Sequence, residues 1–110
     1  MPKAEHLGEF EQLALLAVMR LADEAYGAKI QAELEATAGR AAAISSIYIT
    51  LTRMEKKGLV RSELGPPSEG RGGKPRRYFR IEPEGVEALQ GSRAQLMAMW
   101  SGLEERLKQV

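Results

Sequence analysis

Ile44-Ser45-Ser46-Ile47-Tyr48-Ile49-Thr50-Leu51-Thr52-Arg53-Met54-Glu55-Lys56-Lys57-Gly58-Leu59-Val60 carries a helical repeat that passes into a strand. Ile44, Ile47, Leu51 and Met54 recur at spacings of 3, 4 and 3, which gathers them on one buried stripe. The helix is expected to begin between Ala43 and Ser46 and to run to Lys57, where Gly58 ends it. Its opposite face holds Ser45, Ser46, Ile49, Arg53 and Lys56, with Tyr48 and Thr52 on the flank. Small hydroxyls can reach base edges or phosphates, and an Arg can pair bidentately with guanine or phosphate. Ile49 is the odd item, because water gains nothing from an outward Ile, whereas a thymine methyl would. An ordinary amphipathic helix with a basic solvent face has the same pattern, so the helix alone leaves both readings open.

Downstream, Leu59–Leu64 reads as a strand with Val60 and Leu64 inward and Arg61 and Glu63 outward. The Pro- and Gly-rich stretch from Gly65 to Pro75 is expected to be irregular. Arg76–Ile81 returns as a second strand with Phe79 and Ile81 on one side. The hairpin tip is basic: of the ten residues from Arg71 to Arg80 five are Lys or Arg and none is acidic. A nucleotide-phosphate loop is excluded there. The required first Gly is Ser68, Pro75 stands where Ser or Thr should follow Lys74, and no helix opens at the loop. A basic hairpin after a helical unit is the arrangement of a winged helix-turn-helix, with Arg71, Lys74, Arg76 and Arg77 placed to meet phosphates or the minor groove.

Upstream, Gly8 to Ala22 reads as a first helix whose run Leu13–Met19 is apolar almost all the way round. Such a helix needs cover on more than one side, and a second copy would supply it. A second helix, from about Glu24 to Ala38, has Asp23 as its expected cap and Gly39 as its stop. Gly27 in its first turn is costly there, and a close approach to another backbone is one reason to keep it. The last helix is expected from Pro83 to about Lys108. In it Leu89, Arg93, Leu96, Trp100, Leu103, Leu107 and Val110 alternate at 4 and 3, a heptad seam suited to pairing with a second copy.

The whole chain of 110 residues has 16 Lys and Arg against 15 Asp and Glu, a net charge of +1. That near-neutrality conceals a division. Residues 1–52 sum to −3, residues 53–80 to +6 and residues 81–110 to −2. The excess sits on the third helix and the hairpin, which is a footprint suited to phosphates. Cys is absent and His6 is the single His, so disulfides, thiolate sites, multi-His metal sites and His-based catalysis are excluded. No metal, no cofactor and no enzymatic activity are expected. The longest apolar run is too short for a membrane span, and no signal peptide is expected. The cytoplasm is the expected compartment.

The residues resemble those of the PadR-like transcriptional regulators. The matching stretches are Leu7–Leu13, Tyr26-Gly27, Ile47–Val60, Arg71–Ile81 and Gly85, in order from Leu7 to Leu107. A single C-terminal helix resembles the short-form subgroup. Membership implies a homodimer whose terminal helices pack against the partner's first helix, and repression at a palindromic double-stranded DNA operator. It implies that Tyr48 contacts phosphate or groove. Two positions depart from the family pattern: Ala43 at the cap of the third helix, so that capping falls to Ser45 or is lost, and Glu82 before the last, a poorer cap though well signed for the helix dipole. In short multidrug-sensing members a Trp of the last helix flanks an apolar pore and stacks on planar aromatic compounds. Trp100, with Leu96 and Met97, is similar, although a Trp that only anchors dimer packing would look the same.

The expectation is therefore a mostly α (α+β) fold, with a winged helix-turn-helix DNA-binding domain over 1–82 and a C-terminal dimerisation helix over 83–110. DNA contact is assigned to Ser45, Ser46, Tyr48, Ile49, Arg53, Lys56, Arg71, Lys74, Arg76 and Arg77. Dimerisation is assigned to Leu13, Leu16, Leu89, Leu96, Trp100, Leu103 and Leu107, and an effector contact to Leu96, Met97 and Trp100. A protein-interaction module with a basic tip is the alternative, in which the outward hydroxyls and Ile49 have no role.

Overall fold

A computed structural model describes residues 6–67, 70 and 72–109. The order of elements is α1 (Glu9–Leu21), a 3-10 turn (Ala22–Glu24), α2 (Gly27–Ala38), α3 (Ile44–Lys56), β1 (Val60–Pro67), β2 (Pro75–Ile81), α4 (Pro83–Trp100) and α5 (Glu104–Lys108). Arg71 and Val110 lie outside the described residues.

The core forms where the apolar stripes of three helices meet the hairpin. Leu15 and Val18 of α1, Ile30 and Leu34 of α2, and Ile47, Leu51 and Met54 of α3 are buried together with Val60 and Phe79. The hairpin is antiparallel, pairing Val60 with Ile81, Ser62 with Phe79 and Leu64 with Arg77. Its inner edge is tied to the helices, since Phe79 N–H donates to the Ala25 carbonyl at 2.9 Å and Tyr26 bridges Tyr78. This is a helix-turn-helix with a two-stranded wing, as expected from the sequence.

Several local expectations are corrected. Asp23 does not cap α2: the 3-10 turn intervenes, Tyr26 is the N-cap, and Asp23 instead pairs with Arg80 of the wing. Gly27 is kept small by side chains, since an added Cβ would lie 3.0 Å from the Tyr48 ring and 3.1 Å from Ile44. Ile44, expected in the buried stripe, is 37% exposed in the first turn of α3, with one side against Gly27. Leu64 is exposed rather than inward, and β1 continues through Gly65 to Pro67, where a register irregularity lets Pro67 pair with Pro75. An added Cβ on Gly65 would lie 2.5 Å from the Tyr78 ring, so the strand can continue only over a bare backbone. Neither Ser45 nor any other side chain caps α3, and its N-cap is Ala43.

The expected long C-terminal helix is broken. α4 ends at Trp100, and Gly102 takes a left-handed φ of +85°, which lets the chain turn before α5. α4 starts on Glu82 with Pro83 in its first turn, where a missing N–H costs nothing. Its opening turns pack inward: Gly85, Ala88 and Leu89 are buried. Leu89, assigned to the dimer seam, thus lies in the protomer's own core. From Leu96 onward the apolar residues of α4 and α5 are exposed.

Candidate nucleic-acid interface

One stripe of α3 does nothing for the fold. Ser45, Ile49, Thr52 and Lys56, at spacings of 4, 3 and 4, are all exposed, and Ile49 keeps 65% of its surface. The buried stripe of Ile47, Thr50, Leu51 and Met54 lies on the other side of the helix. Thr52, expected on the flank, belongs at the centre of the outward face. Its spacing from Ser45, Ile49 and Lys56 was the signal available.

The flanks of α3 are held by two neighbours. On one flank, Ser46 and Arg53 are exposed, and Arg53 Nη2 donates to Glu11 Oε2 of α1 at 3.3 Å. On the other, Tyr48 is half-buried, with its ring centroid 5.8 Å from that of Phe79. The Tyr48 ring thus packs beside Gly27 and against the wing. Glu55 on this flank accepts Ser62 N–H at 3.0 Å and Ser62 Oγ at 2.9 Å. Arg77 Nη1 donates to the same Ser62 Oγ at 3.0 Å, so α3, β1 and β2 are joined by one polar chain.

The wing cations differ in kind. Lys74 is exposed and forms no ion pair with a described residue. Arg76 is half-buried, its guanidinium 4.4 Å from the Tyr26 ring centroid, and its Nε is buried without a hydrogen-bond partner among the described residues. A flat cation over an aromatic face is held in one plane, and its outer nitrogens stay available to an acceptor. Tyr26 is itself packed edge-on against Tyr78 at 5.4 Å. Arg77 is half-buried and committed to Ser62 as described.

Glu11 is the one group near this surface whose acidity is clearly set by its surroundings. Its carboxyl titrates below its ordinary value of 4.5, chiefly because it accepts the Gly8 N–H at 2.8 Å. Partial burial opposes that, and the hydrogen bond from Arg53 with the charges of Lys57 and Arg53 lowers it further. Sequence reasoning misses Glu11, because its partner stands 42 residues away and no local period links them.

A separate apolar region lies between α1 and α2 and on the C-terminal part of the chain. Leu13, Leu16, Ala17 and Met19 of α1 with Leu34 and Ala38 of α2 line a cleft of about 390 Å³. Leu96, Met97 and Trp100 share about one turn of α4, each a little over half exposed, and Leu103 and Leu107 follow at 37% and 45%. Among the described residues no cluster of His, Asp or Glu suits a metal ion, and no helix is long and apolar enough to cross a membrane.

The family model for the transcriptional regulator PadR-like family matches residues 15–91. No curated protein matches the chain. A PadR family transcriptional regulator from Eggerthella lenta is 30% identical, with 90% of this chain and 86% of that one covered at a TM-score of 0.66. A PadR-like transcriptional regulator from Bacillus cereus is 28% identical, with 92% of each chain covered at a TM-score of 0.67. The match runs from inside α1 across α3 and the wing into α4, over both the buried core and the outward stripe of α3. With that extent of agreement in sequence and fold, the chain belongs to the PadR-like family of transcriptional regulators.

Proposed function

We propose that this chain is a sequence-specific, double-stranded DNA-binding regulator that acts as a homodimer and represses at a palindromic operator in the cytoplasm. The observation that carries the reading is the outward stripe of α3, where Ser45, Ile49, Thr52 and Lys56 are exposed and an Ile is maintained in water. Laid in the major groove, the hydroxyls meet base edges and Ile49 meets a thymine methyl. Lys74, Arg76 and Arg77, with Arg71 outside the described residues, meet the flanking backbone. In the dimer, Leu96, Trp100, Leu103 and Leu107 of one protomer cover Leu13 and Leu16 of its partner. Two recognition helices then address half-sites about one helical turn apart. Leu96, Met97 and Trp100 at that junction offer an apolar wall to a planar aromatic effector, which acts only if it binds one dimer geometry better than another.

The test is a binding titration on duplexes enriched from genomic DNA by the purified protein. Affinity should fall steeply with salt, and a substitution that loses one phosphate contact per protomer, hence two per dimer, should reduce the log–log slope by about 1.8. Lys74→Gln should weaken binding to every duplex and lower the slope, whereas Ser46→Ala should relax base preference. Salt-insensitive or absent duplex binding would overturn the reading in favour of a protein-interaction module.

A further inference from the structure

The acidic first turn of α1 sits beside the surface just assigned to DNA, and that placement needs a reason. A carboxylate near a polyanion opposes binding, so a DNA-binding face should shed such groups rather than hold them. Here two are retained, and both engage arginines of the helix-turn-helix. Glu9 meets Arg40, in the α2–α3 connection, at 2.9 Å, and Glu11 meets Arg53 of α3 at 3.3 Å. The Glu11 pair is the built one. Only 14% of its side chain is exposed, and its second oxygen is anchored on the Gly8 amide at 2.8 Å. Arg53 is 51% exposed and reaches Glu11 with one nitrogen, which leaves guanidinium donors over. An Arg on an open helix flank would otherwise sample many rotamers, and a bidentate contact requires a single orientation.

We propose that Glu11 is a positioning residue for DNA sequence discrimination, holding Arg53 in the orientation in which its remaining donors read one base in each half-site. Glu11 does not touch DNA. It lowers affinity for DNA in general and raises selectivity at one position. The inference rests on the DNA-binding reading above.

Glu11→Gln removes the charge but keeps an oxygen for the Gly8 amide, so α1 keeps its terminal hydrogen bond at some cost in stability; circular dichroism of each variant at the assay temperature verifies that it remains folded. The parent, Glu11→Gln, Arg53→Ala and the double variant are each titrated against a sequence selected from randomised duplexes and against its single-base substitutions. A bidentate pairing is worth about 5- to 100-fold in discrimination. Glu11→Gln is expected to lose a part of that, roughly 3- to 10-fold, at the same base position where Arg53→Ala loses it. Its affinity for unselected duplex should rise, and in the Arg53→Ala background it should have no further effect on discrimination. A selective parent whose Glu11→Gln variant keeps full discrimination, or loses it evenly at every position, overturns this inference alone. A parent that selects no sequence removes the DNA-binding reading and this inference with it.

Discussion

At the scale of single residues, two positions depend in part on partners far along the chain. Gly85 is one: a Cβ there would lie 2.3 Å from the Leu59 carbonyl oxygen and 2.8 Å from Ile81. Ala would gain about 1 kcal/mol in helix propensity. The clash with backbone outweighs that gain, because the Leu59 carbonyl is already fixed by the Glu82 N–H at 2.9 Å. Gly85→Ala should therefore destabilise by about 2–4 kcal/mol in urea unfolding, where a helix-only view expects a gain. Glu11 is the other. Its folded pKa lies below the ordinary 4.5, so its contribution to stability is present above that value and is lost as pH falls through the depressed folded value. The difference in urea midpoint between the parent and Glu11→Gln should be greatest near neutrality and close below pH 4.5. A gap that persists to strongly acid pH would show that the charge is not the source.

At the scale of elements, α4 divides into two parts with different duties. Leu89 is 8% exposed and belongs to the protomer's core, whereas Leu96, one heptad on, is 51% exposed. Leu89→Ala should cost about 2–4 kcal/mol by leaving a cavity, whatever the protein concentration. Leu96→Ala should leave the core intact and lower the melting temperature in a concentration-dependent way, as a weakened dimer does. Thermal melts across a dilution series separate the two. The heptad spacing of this helix was legible in the sequence, but where it passes from core to surface was not. That boundary depends on how far the wing and α1 extend beneath it. The helix break at Gly102 was not legible either, because a Gly inside a good heptad pattern is tolerated as often as it ends a helix. α3 was more legible, since its buried and outward stripes both follow from a period of 3.6. Two positions misled: Ile44 fits the period but lies outside the core, and Thr52 lies on the outward face rather than the flank.

At the scale of the molecule, the protomer is more extended than a compact chain of its length. The radius of gyration is 16.2 Å, against about 13 Å for a compact chain of this length. The longest dimension is 55 Å. The α1–α2 cleft and the exposed run from Leu96 to Leu107 leave apolar surface uncovered in the protomer, which supports the proposed homodimer. Sedimentation should give twice the chain mass at micromolar concentration, and Leu16→Glu should reduce it to the monomer. Trp100, the single Trp and 53% exposed in the protomer, should then shift its emission to the red. A parent that sediments as a monomer would refute the dimer.

Charge shows where sequence sufficed and where it did not. The +6 of residues 53–80 against a net +1 is additive along the chain, so the sequence alone located the basic segment. Hydrophobic period and turn residues are local too, and they determined three helices, a hairpin and the buried stripe of α3. What each cation does is not local. Arg77 is joined to Ser62 and Glu55, Arg76 is stacked on Tyr26, Arg53 is held by Glu11, and only Lys74 of the four has no described partner of this kind. Those assignments depend on distances between segments far apart in the chain, which exist only once the core has closed and brought α1, α3 and the wing to one edge.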